Sequence, residues 1–439
     1  MAPSVLTLLV HRIADRLWNR WFGTDHSSPW AEDGRPSTSR LAQIRTRRAR
    51  ILAGVLWPLL RPLLPGLSVL TNWISGRRLR AQLAAPSAPS GQSIAVGNWI
   101  IGGGGKTPLA IALALALKTR GLHPALLSRG YRATPSERDA GGASQCRVLQ
   151  PETVLSLSPA AVGDEAWLMA WRTGCPVGVG ADRHAVAQAL LGLYPDTNLW
   201  ILDDGLSQTS LRPDHRLLVL DSRGHGSGRP MPDGPLRGAW PPPHGHSPNT
   251  IVAPRGLDLS PILAGLPGPP PDCLEREIVP TAWLAFPWDS QTIPSASPEE
   301  PRKLAPETLE ITAGSLSPRL AAHGPFLAIA GIAQPEVFFQ TLRRLGLPVL
   351  DTICLPDHAP EILPSLLRWK VAHLLQPMPS IVMTEKDAVK FAWELHASQS
   401  ASADRLGQVA LLGEAQPIWW AIRLEARLPP AWLDGLCRG

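Results

Sequence analysis

A run of four glycines followed by lysine and threonine is the feature that most constrains this chain. It lies in residues 93–121, SIAVGNWIIGGGGKTPLAIALALALKTRG, where a β-rich start precedes the glycines and an apolar helical pattern follows them. Glycine lets backbone N–H groups approach phosphate, lysine neutralises the outer phosphates, and a hydroxyl at a helix N-terminus suits Mg²⁺. Pro108 fits the first helical turn, where a missing N–H does no harm. We predict a strand, a phosphate-binding loop and a helix; a glycine-rich turn without ligand is the alternative.

The expected contacts to a nucleotide extend over both sides of the glycines. The predicted cofactor-binding residues are Ile100, Ile101, Gly102, Gly103, Gly104, Gly105, Lys106 and Thr107. The common form of this loop has glycine six positions before the lysine, and Ile100 stands there instead. The strict motif therefore fails at one position.

A pair of aspartates follows a second strand pattern. Residues 200–202 are apolar and lead directly into Asp203, Asp204 and Gly205. Asp-Asp-Gly alone usually forms a turn, but carboxylates at the end of a strand also hold the Mg²⁺ of a nucleotide. With a phosphate-binding loop upstream, the metal interpretation is favoured. We expect Thr107, Asp203 and Asp204 to bind the metal.

Composition and charge limit the remaining classes. The chain has 439 residues, enough for about two or three domains. At 44% hydrophobic and 18% charged residues it does not have a disordered composition. The net charge of +6 favours an anionic partner: nucleic acid, a phosphorylated substrate or a membrane surface. Five cysteines without C-x-x-C pairs suggest neither a disulfide framework nor a zinc site, and fit a reducing compartment.

Two N-terminal segments raise the question of a membrane. Apolar residues recur at helical spacing over residues 5–21, opposite His11, Arg12, Arg16, Asn19 and Arg20, which is typical of a helix on a membrane surface or of one packed on its own protein. No signal peptide is convincing, because no cleavage site follows the short apolar run.

Residues 51–74 are almost continuously apolar, and this length can span a bilayer. Arg61 and three prolines also make an embedded segment possible, and a buried core helix is the alternative. The flanking arginine clusters adjoin apolar rather than base-stacking positions, so we predict no nucleic acid partner.

Several motifs in a fixed order resemble the tetraacyldisaccharide 4'-kinase family of the lipid A pathway. They are VGNWIIGGGGKTP at 96–108, LSRGY at 127–131, VGDEAWLMA at 162–170, GADRHAVA at 180–187, LDDGL at 202–206, PDGPLRG at 232–238, AGIAQPEVFF at 330–339, LPDHAP at 355–360 and VMTEKDAVKF at 382–391. Each motif alone is modest, whereas their shared order is specific.

The resemblance implies an α/β fold: a P-loop NTPase-like parallel sheet domain, a second smaller α/β domain and an N-terminal membrane-associated helical segment. We place an N-terminal extension at 1–50, the membrane-associated segment at 51–90, the P-loop kinase domain at 91–290, a proline-rich linker or insertion at 291–320 and the C-terminal α/β domain at 321–439.

The resemblance also implies chemistry for particular residues. Asp164 and His358 match the family's catalytic pair, and Lys106 is expected to neutralise the β and γ phosphates. From the residues alone, Asp164 is equally suited to cap the helix that follows it, and His358 to lie in a turn. Asp357 is a possible supporting acceptor.

The implied activity is transfer of phosphate from ATP, with Mg²⁺, to the 4'-hydroxyl of an acylated glucosamine disaccharide 1-phosphate at the cytoplasmic face of the inner membrane. Membrane lipids are expected partners, and no obligate protein partner is predicted. Three positions depart from the family pattern: Ile100, Ser207 and Gly238. The alternative hypothesis they motivate is a membrane-associated nucleotide-binding protein without kinase activity.

Overall fold

The structure is a computed structural model of the chain. It describes residues 5–22, 51–130, 146–286, 307–310, 320, 323–357, 361–373, 379–399 and 419–437. The helices are α1 Val5–Phe22, α2 Ile51–Leu83, α3 Lys106–Lys118, α4 Pro159–Val162, α5 Asp164–Thr173, α6 Arg183–Leu193, α7 Ser260–Leu263, α8 Pro335–Arg344, α9 Leu363–His373, α10 Glu385–Gln399 and α11 Pro430–Leu436.

The strands alternate with these helices along much of the chain. They are β1 Gln92–Gly97, β2 Pro124–Ser128, β3 Arg147–Leu149, β4 Val177–Val179, β5 Leu199–Asp203, β6 His215–Val219, β7 Thr250–Pro254, β8 Asp272–Phe286, β9 Glu307–Glu310, β10 Phe326–Ala330, β11 Val349–Cys354, β12 Ser380–Thr384 and β13 Trp419–Arg427. The predicted α/β class is confirmed, and β1 and α3 confirm the strand and the helix predicted on either side of the glycine-rich loop.

The chain divides into two compact units. Unit 1 comprises Met1–Pro86, Ala95–Gly105 and Asp204–Glu275, and unit 2 comprises Ser87–Ile94, Lys106–Asp203 and Arg276–Gly439. Each unit is therefore built from three separate stretches of sequence.

Unit 2 contains two groups of strands. The first has the order β5-β2-β4-β3, in which β2 is parallel to β5 and β4, and β3 is antiparallel to β4. Every residue of β2 and β5 is buried, as expected for parallel strands covered on both faces. The apolar face of α3 packs against β5, so the start of α3 is fixed relative to the end of that strand.

The second group in unit 2 has the order β11-β10-β12-β13-β8. β10, β11, β12 and β13 pair in parallel, whereas β8 pairs antiparallel with β13 and with β9. Leu327 and Ile329 of β10 join one hydrophobic cluster and Phe326 and Ala328 join another. Because side chains alternate along a strand, the two clusters cover opposite faces of this sheet.

In unit 1, β6 and β7 pair in parallel, and α1 packs by its C-terminal half. Trp18, Trp21 and Phe22 are buried in a cluster with Ile100 and Leu236. This confirms the alternative in which the amphipathic N-terminal helix packs on its own protein.

The long helix α2 is interrupted by a tighter turn at Arg61–Leu63. One narrow stripe of α2 contacts the rest of unit 1. Ser68 Oγ donates to Pro230 O over 2.7 Å, the Trp240 N–H donates to Asn72 Oδ1 over 2.8 Å, and Gln82 Nε2 donates to Gln208 O over 2.6 Å.

Most of the other apolar side chains of α2 are exposed. Among the described residues, α2 is the one helix long and apolar enough to cross a membrane, and 17% of its apolar 18-residue window is buried. A buried core helix, which was one alternative for this segment, is therefore wrong.

Candidate functional site

The glycine-rich loop runs from the end of β1 at Gly97 to the start of α3 at Lys106. Gly102 and Gly105 have φ angles of 91° and 80°, a conformation that favours glycine. Asn98 Nδ2 donates to Gly102 O over 2.9 Å. A Cβ on Gly104 would lie 3.1 Å from the same Asn98 nitrogen. Backbone conformation at Gly102 and Gly105, and the close approach of Asn98 at Gly104, therefore favour glycine at these positions.

A buried arginine supports the loop from behind. The Arg223 guanidinium donates to Ile101 O over 3.3 Å and to Gly103 O over 3.5 Å. Asp221, two residues after the end of β6, holds the same guanidinium through a 2.6 Å ion pair. Trp18 and Phe22 of α1 stack on it, with Arg223 Cζ 5.2 and 5.0 Å from the ring centroids. The N-terminal helix thus contributes to the packing that supports the loop.

The packing around position 100 explains why isoleucine rather than glycine stands there. Its side chain is 1% exposed, and its backbone forms an isolated bridge with Leu236. The cluster around it contains the α1 aromatics, so an apolar residue suits this position better than glycine. The Ile100 side chain therefore faces protein.

Lys106 and Thr107 begin α3, where the helix N-terminus carries partial positive charge. Thr107 is 9% exposed. Asp203 is the last residue of β5 and is 2% exposed, and α3 packs against that strand. Asp204 adopts a left-handed conformation with φ 52°, and its Oδ2 lies 3.3 Å from Arg237 Nη1.

The donors at this site fit a hard divalent cation. A hydroxyl and carboxylates are oxygen ligands of the kind Mg²⁺ prefers, and Mg²⁺ usually takes only one or two carboxylates together with phosphate oxygens. Within the described part of the chain, no group of three or more His, Cys, Asp or Glu side chains is arranged to hold a metal by itself. A metal bound by Thr107 and the aspartates would therefore depend on phosphate.

Asp164 is the centre of a cluster of opposite charges in unit 2. Lys390 Nζ lies 2.8 Å and Lys386 Nζ 3.6 Å from its Oδ2. Lys386 also lies 3.6 Å from Asp357 Oδ1 and 3.8 Å from Glu165 Oε1. The N-cap position of α5 is occupied by Gly163, and Asp164 is the first residue of the helix itself. The helix-cap alternative for Asp164 is therefore wrong.

The carboxylates of this cluster change the pKa of Lys386. Burial opposes its charge, but the carboxylates of Glu165, Asp164, Asp357 and Asp387 together raise the pKa of Lys386 above its ordinary value. Burial raises the pKa of Asp387, against bonds from the Gly331 N–H at 2.8 Å and Thr384 Oγ1 at 2.6 Å. Lys386 is therefore held in its charged form next to Asp164.

A second ion-pair network holds α5 against α10. Arg172, near the end of α5, pairs through Nη1 with Glu385 at the start of α10, and its Nη2 lies 3.1 Å from Glu425 Oε1. Arg423 Nε lies 3.2 Å from Glu385 Oε1. Since Lys386 and Lys390 are on α10, this network fixes the helix that carries them relative to Asp164.

His358, the expected partner of Asp164, lies outside the described residues, although Asp357 before it is within 3.6 Å of Lys386. Sequence reasoning missed Arg223 and Lys390, and it assigned no chemistry to Lys386. The signal for the lysines was their i, i+4 spacing within VMTEKDAVKF, in a chain with only six lysines. No local signal marked Arg223.

Comparisons with known proteins agree with the geometry. A family model described as tetraacyldisaccharide-1-P 4'-kinase matches residues 59–260 and 276–438. A tetraacyldisaccharide 4'-kinase of Acidovorax sp. is 33% identical over 415 residues, covering 92% of this chain and 96% of the relative. One of Dechloromonas aromatica is 33% identical over 361 residues, covering 81% and 86%.

A solved structure has a similar fold. The structure of LpxK from Aquifex aeolicus in complex with ATP has a TM-score of 0.57 at 19% identity, covering 87% of this chain and 99% of that one. Because the family model spans most of the sequence and relatives match it over nearly their whole length, the chain belongs to the tetraacyldisaccharide-1-P 4'-kinase family.

Proposed function

We propose that the chain transfers the γ-phosphate of ATP to the 4'-hydroxyl of an acylated glucosamine disaccharide 1-phosphate. One observation carries the proposal: this member of the family has a glycine loop ending in Lys106 and also an Asp164 carboxylate that pairs with two lysines. Phosphoryl transfer depends on alignment and charge neutralisation, and these two sets of residues supply both.

Lys106 and the N–H groups of residues 102–107 bind the phosphates in this proposal. Thr107, Asp203 and Asp204 would hold Mg²⁺. Asp204 also pairs with Arg237. When bound there, Mg²⁺ would neutralise negative charge on the phosphates during transfer. Arg223 keeps the loop carbonyls turned away from the phosphates by donating to Ile101 O and Gly103 O.

Asp164 accepts the proton of the acceptor hydroxyl in this proposal. A carboxylate in this position contributes through proton transfer in the transition state. Lys390 at 2.8 Å restricts the carboxylate to one orientation, and Lys386 adds positive charge where the transferred phosphoryl group is negative. His358 is proposed as the second member of the pair.

Membrane attachment through α2 is proposed for the same enzyme, at the cytoplasmic face of the inner membrane. One stripe of α2 is bonded to unit 1 from Ser68 to Gln82, and Leu59, Val69 and Trp73 on other faces are 65%, 71% and 59% exposed. A helix whose second half is bonded to its own protein suits the membrane surface better than a full span. An acylated acceptor would then be reached from the bilayer.

Labelled ATP and the disaccharide 1-phosphate in neutral detergent micelles test the proposal. We expect a labelled bisphosphorylated lipid from the wild type and at least a hundredfold lower rates from Lys106→Ala and Asp164→Ala. Arg255→Gln, an exposed position, is the matched control and should keep the wild-type rate. ATP binding without any lipid product would overturn the proposal and favour a nucleotide-binding protein.

A further inference from the structure

An open cavity of about 480 Å³ lies in unit 1, between the N-terminal helix α1 and the first part of α2. It is lined by Arg16, Asn19, Arg20, Trp57 and Arg61. Three of the five lining side chains are arginines, and none is acidic. The phosphate-binding loop and Asp164 do not contribute to this cavity, so it is a separate feature of the molecule.

Two arginines of α1 line the cavity because helical spacing places them on the same face of the helix. Arg16 and Arg20 are four residues apart on one face, a like-charge arrangement that is unfavourable in an isolated helix. Arg16 Nη1 donates to Ala53 O over 2.6 Å, which fixes its guanidinium against α2. Arg20 Nε donates to Asp233 Oδ1 over 2.8 Å. Both side chains are therefore held at the cavity by bonds to the protein.

The cavity has an excess of positive charge. Asp233 pairs with Arg20 and also with Arg229, so this one carboxylate serves two arginines. Within the part of the chain that the structure describes, Arg16 has no carboxylate partner, and the Arg61 guanidinium forms neither a hydrogen bond nor an ion pair. An anion is the group that completes this arrangement.

The surroundings of Arg61 indicate what carries the anion. Arg61 is the only charged residue in 51–76, and Leu59, Leu60 and Leu63 beside it are 65%, 38% and 57% exposed. Trp57, half-buried one turn before Arg61, supplies an amphipathic ring of the kind enriched at membrane interfaces. A basic pocket bordered by exposed apolar side chains suits an anionic head joined to acyl chains.

We propose that this cavity binds the phosphate headgroup of an anionic membrane phospholipid. Arginine forks match phosphate oxygens bidentately, and the acyl chains would extend over the exposed apolar residues of α2. The site holds the enzyme at anionic regions of the bilayer through residues that take no part in phosphate transfer. It therefore stands independently of the proposed kinase reaction.

Vesicle flotation of the full chain tests the site, with phosphatidylcholine vesicles compared with vesicles containing phosphatidylglycerol. We expect the wild type to prefer the anionic vesicles, and Arg16→Gln/Arg61→Gln to bind them about thirtyfold less, since each basic residue at an anionic surface contributes about fivefold. Arg20 is left in place because its loss would leave the buried Asp233 with the exposed Arg229 as its remaining arginine. Arg255→Gln/Arg343→Gln removes two exposed charges elsewhere and should bind like the wild type.

Two further measurements separate this site from the alternatives. Arg16→Lys/Arg61→Lys keeps the charge but loses the forked geometry, so its binding should fall between those of the wild type and the glutamine variant; equality with the wild type would overturn a built site. Turnover in neutral micelles should keep its KM for the disaccharide in the glutamine variant. A raised KM there would overturn the proposal and assign the pocket to the 1-phosphate of the substrate.

Discussion

Replacing Lys390 by methionine tests the cluster around Asp164 most directly. Lys390 Nζ lies 2.8 Å from Asp164 Oδ2, and the two side chains are 13% and 11% exposed. Removing one partner of a buried ion pair costs about 3–5 kcal/mol. Asp164 keeps Lys386 at 3.6 Å, so we expect a smaller decrease in the free energy of unfolding, by about 2–3 kcal/mol.

A double-mutant cycle isolates the pair from other effects of the substitutions. Asp164→Asn, Lys390→Met and the double variant are compared by urea unfolding of the ligand-free protein. We expect an interaction energy of about 1–2 kcal/mol. Lys118→Met is the matched control, because Lys118 Nζ donates to Thr173 O and Gly174 O at the other end of α5 rather than to a carboxylate. Combined with Asp164→Asn it should be additive within about 0.5 kcal/mol.

A kinetic assay of the same variants distinguishes a residue that takes part in the reaction from one that positions it. Asp164→Asn should lower kcat by about 10²–10⁴-fold, as for loss of a general base. Lys390→Met should lower kcat less and leave the KM for ATP unchanged, since Lys390 orients the carboxylate, and Lys390→Arg should recover part of the rate. Additive stabilities together with wild-type kcat in Lys390→Met would refute the reasoning.

Three further predictions concern the loop and a buried histidine. Lys106→Ala should lower kcat/KM about 10²–10³-fold with labelled ATP, and an unchanged rate would contradict its role. By calorimetry, Gly104→Ala should bind ATP about fivefold more weakly, because its Cβ would displace Asn98 Nδ2 at 3.1 Å, whereas Gly238→Ala, which faces open space, should bind like the wild type. Burial lowers the pKa of His246 to about 4, so the unfolded chain, with its ordinary value near 6.5, binds protons first as pH falls. Between about pH 6.5 and 4 the free energy of unfolding should therefore decrease by about 3 kcal/mol, and a pH profile identical in His246→Gln would exclude this residue as the cause.

Local sequence predicted the elements that depend on neighbouring residues. The loop between β1 and α3 and the aspartates at the end of β5 lie close to their expected places. These features depend on hydrophobic periodicity, glycine conformations and helix-start residues, which act over a few positions. The alternatives for residues 5–21 and 51–74 could not be resolved in this way, because an apolar stripe is the same whether it faces protein or lipid.

The sequence by itself determined an α/β chain with a phosphate-binding loop, an apolar N-terminal segment and a family resemblance carried by ordered motifs. Only the tertiary structure decided that Lys390 pairs with Asp164, that Arg223 supports the loop and that α1 packs its aromatics around Ile100. These contacts join residues tens to hundreds of positions apart. Their energies depend on burial and on distances of a few ångströms, and neither is encoded in the spacing of residues along one segment.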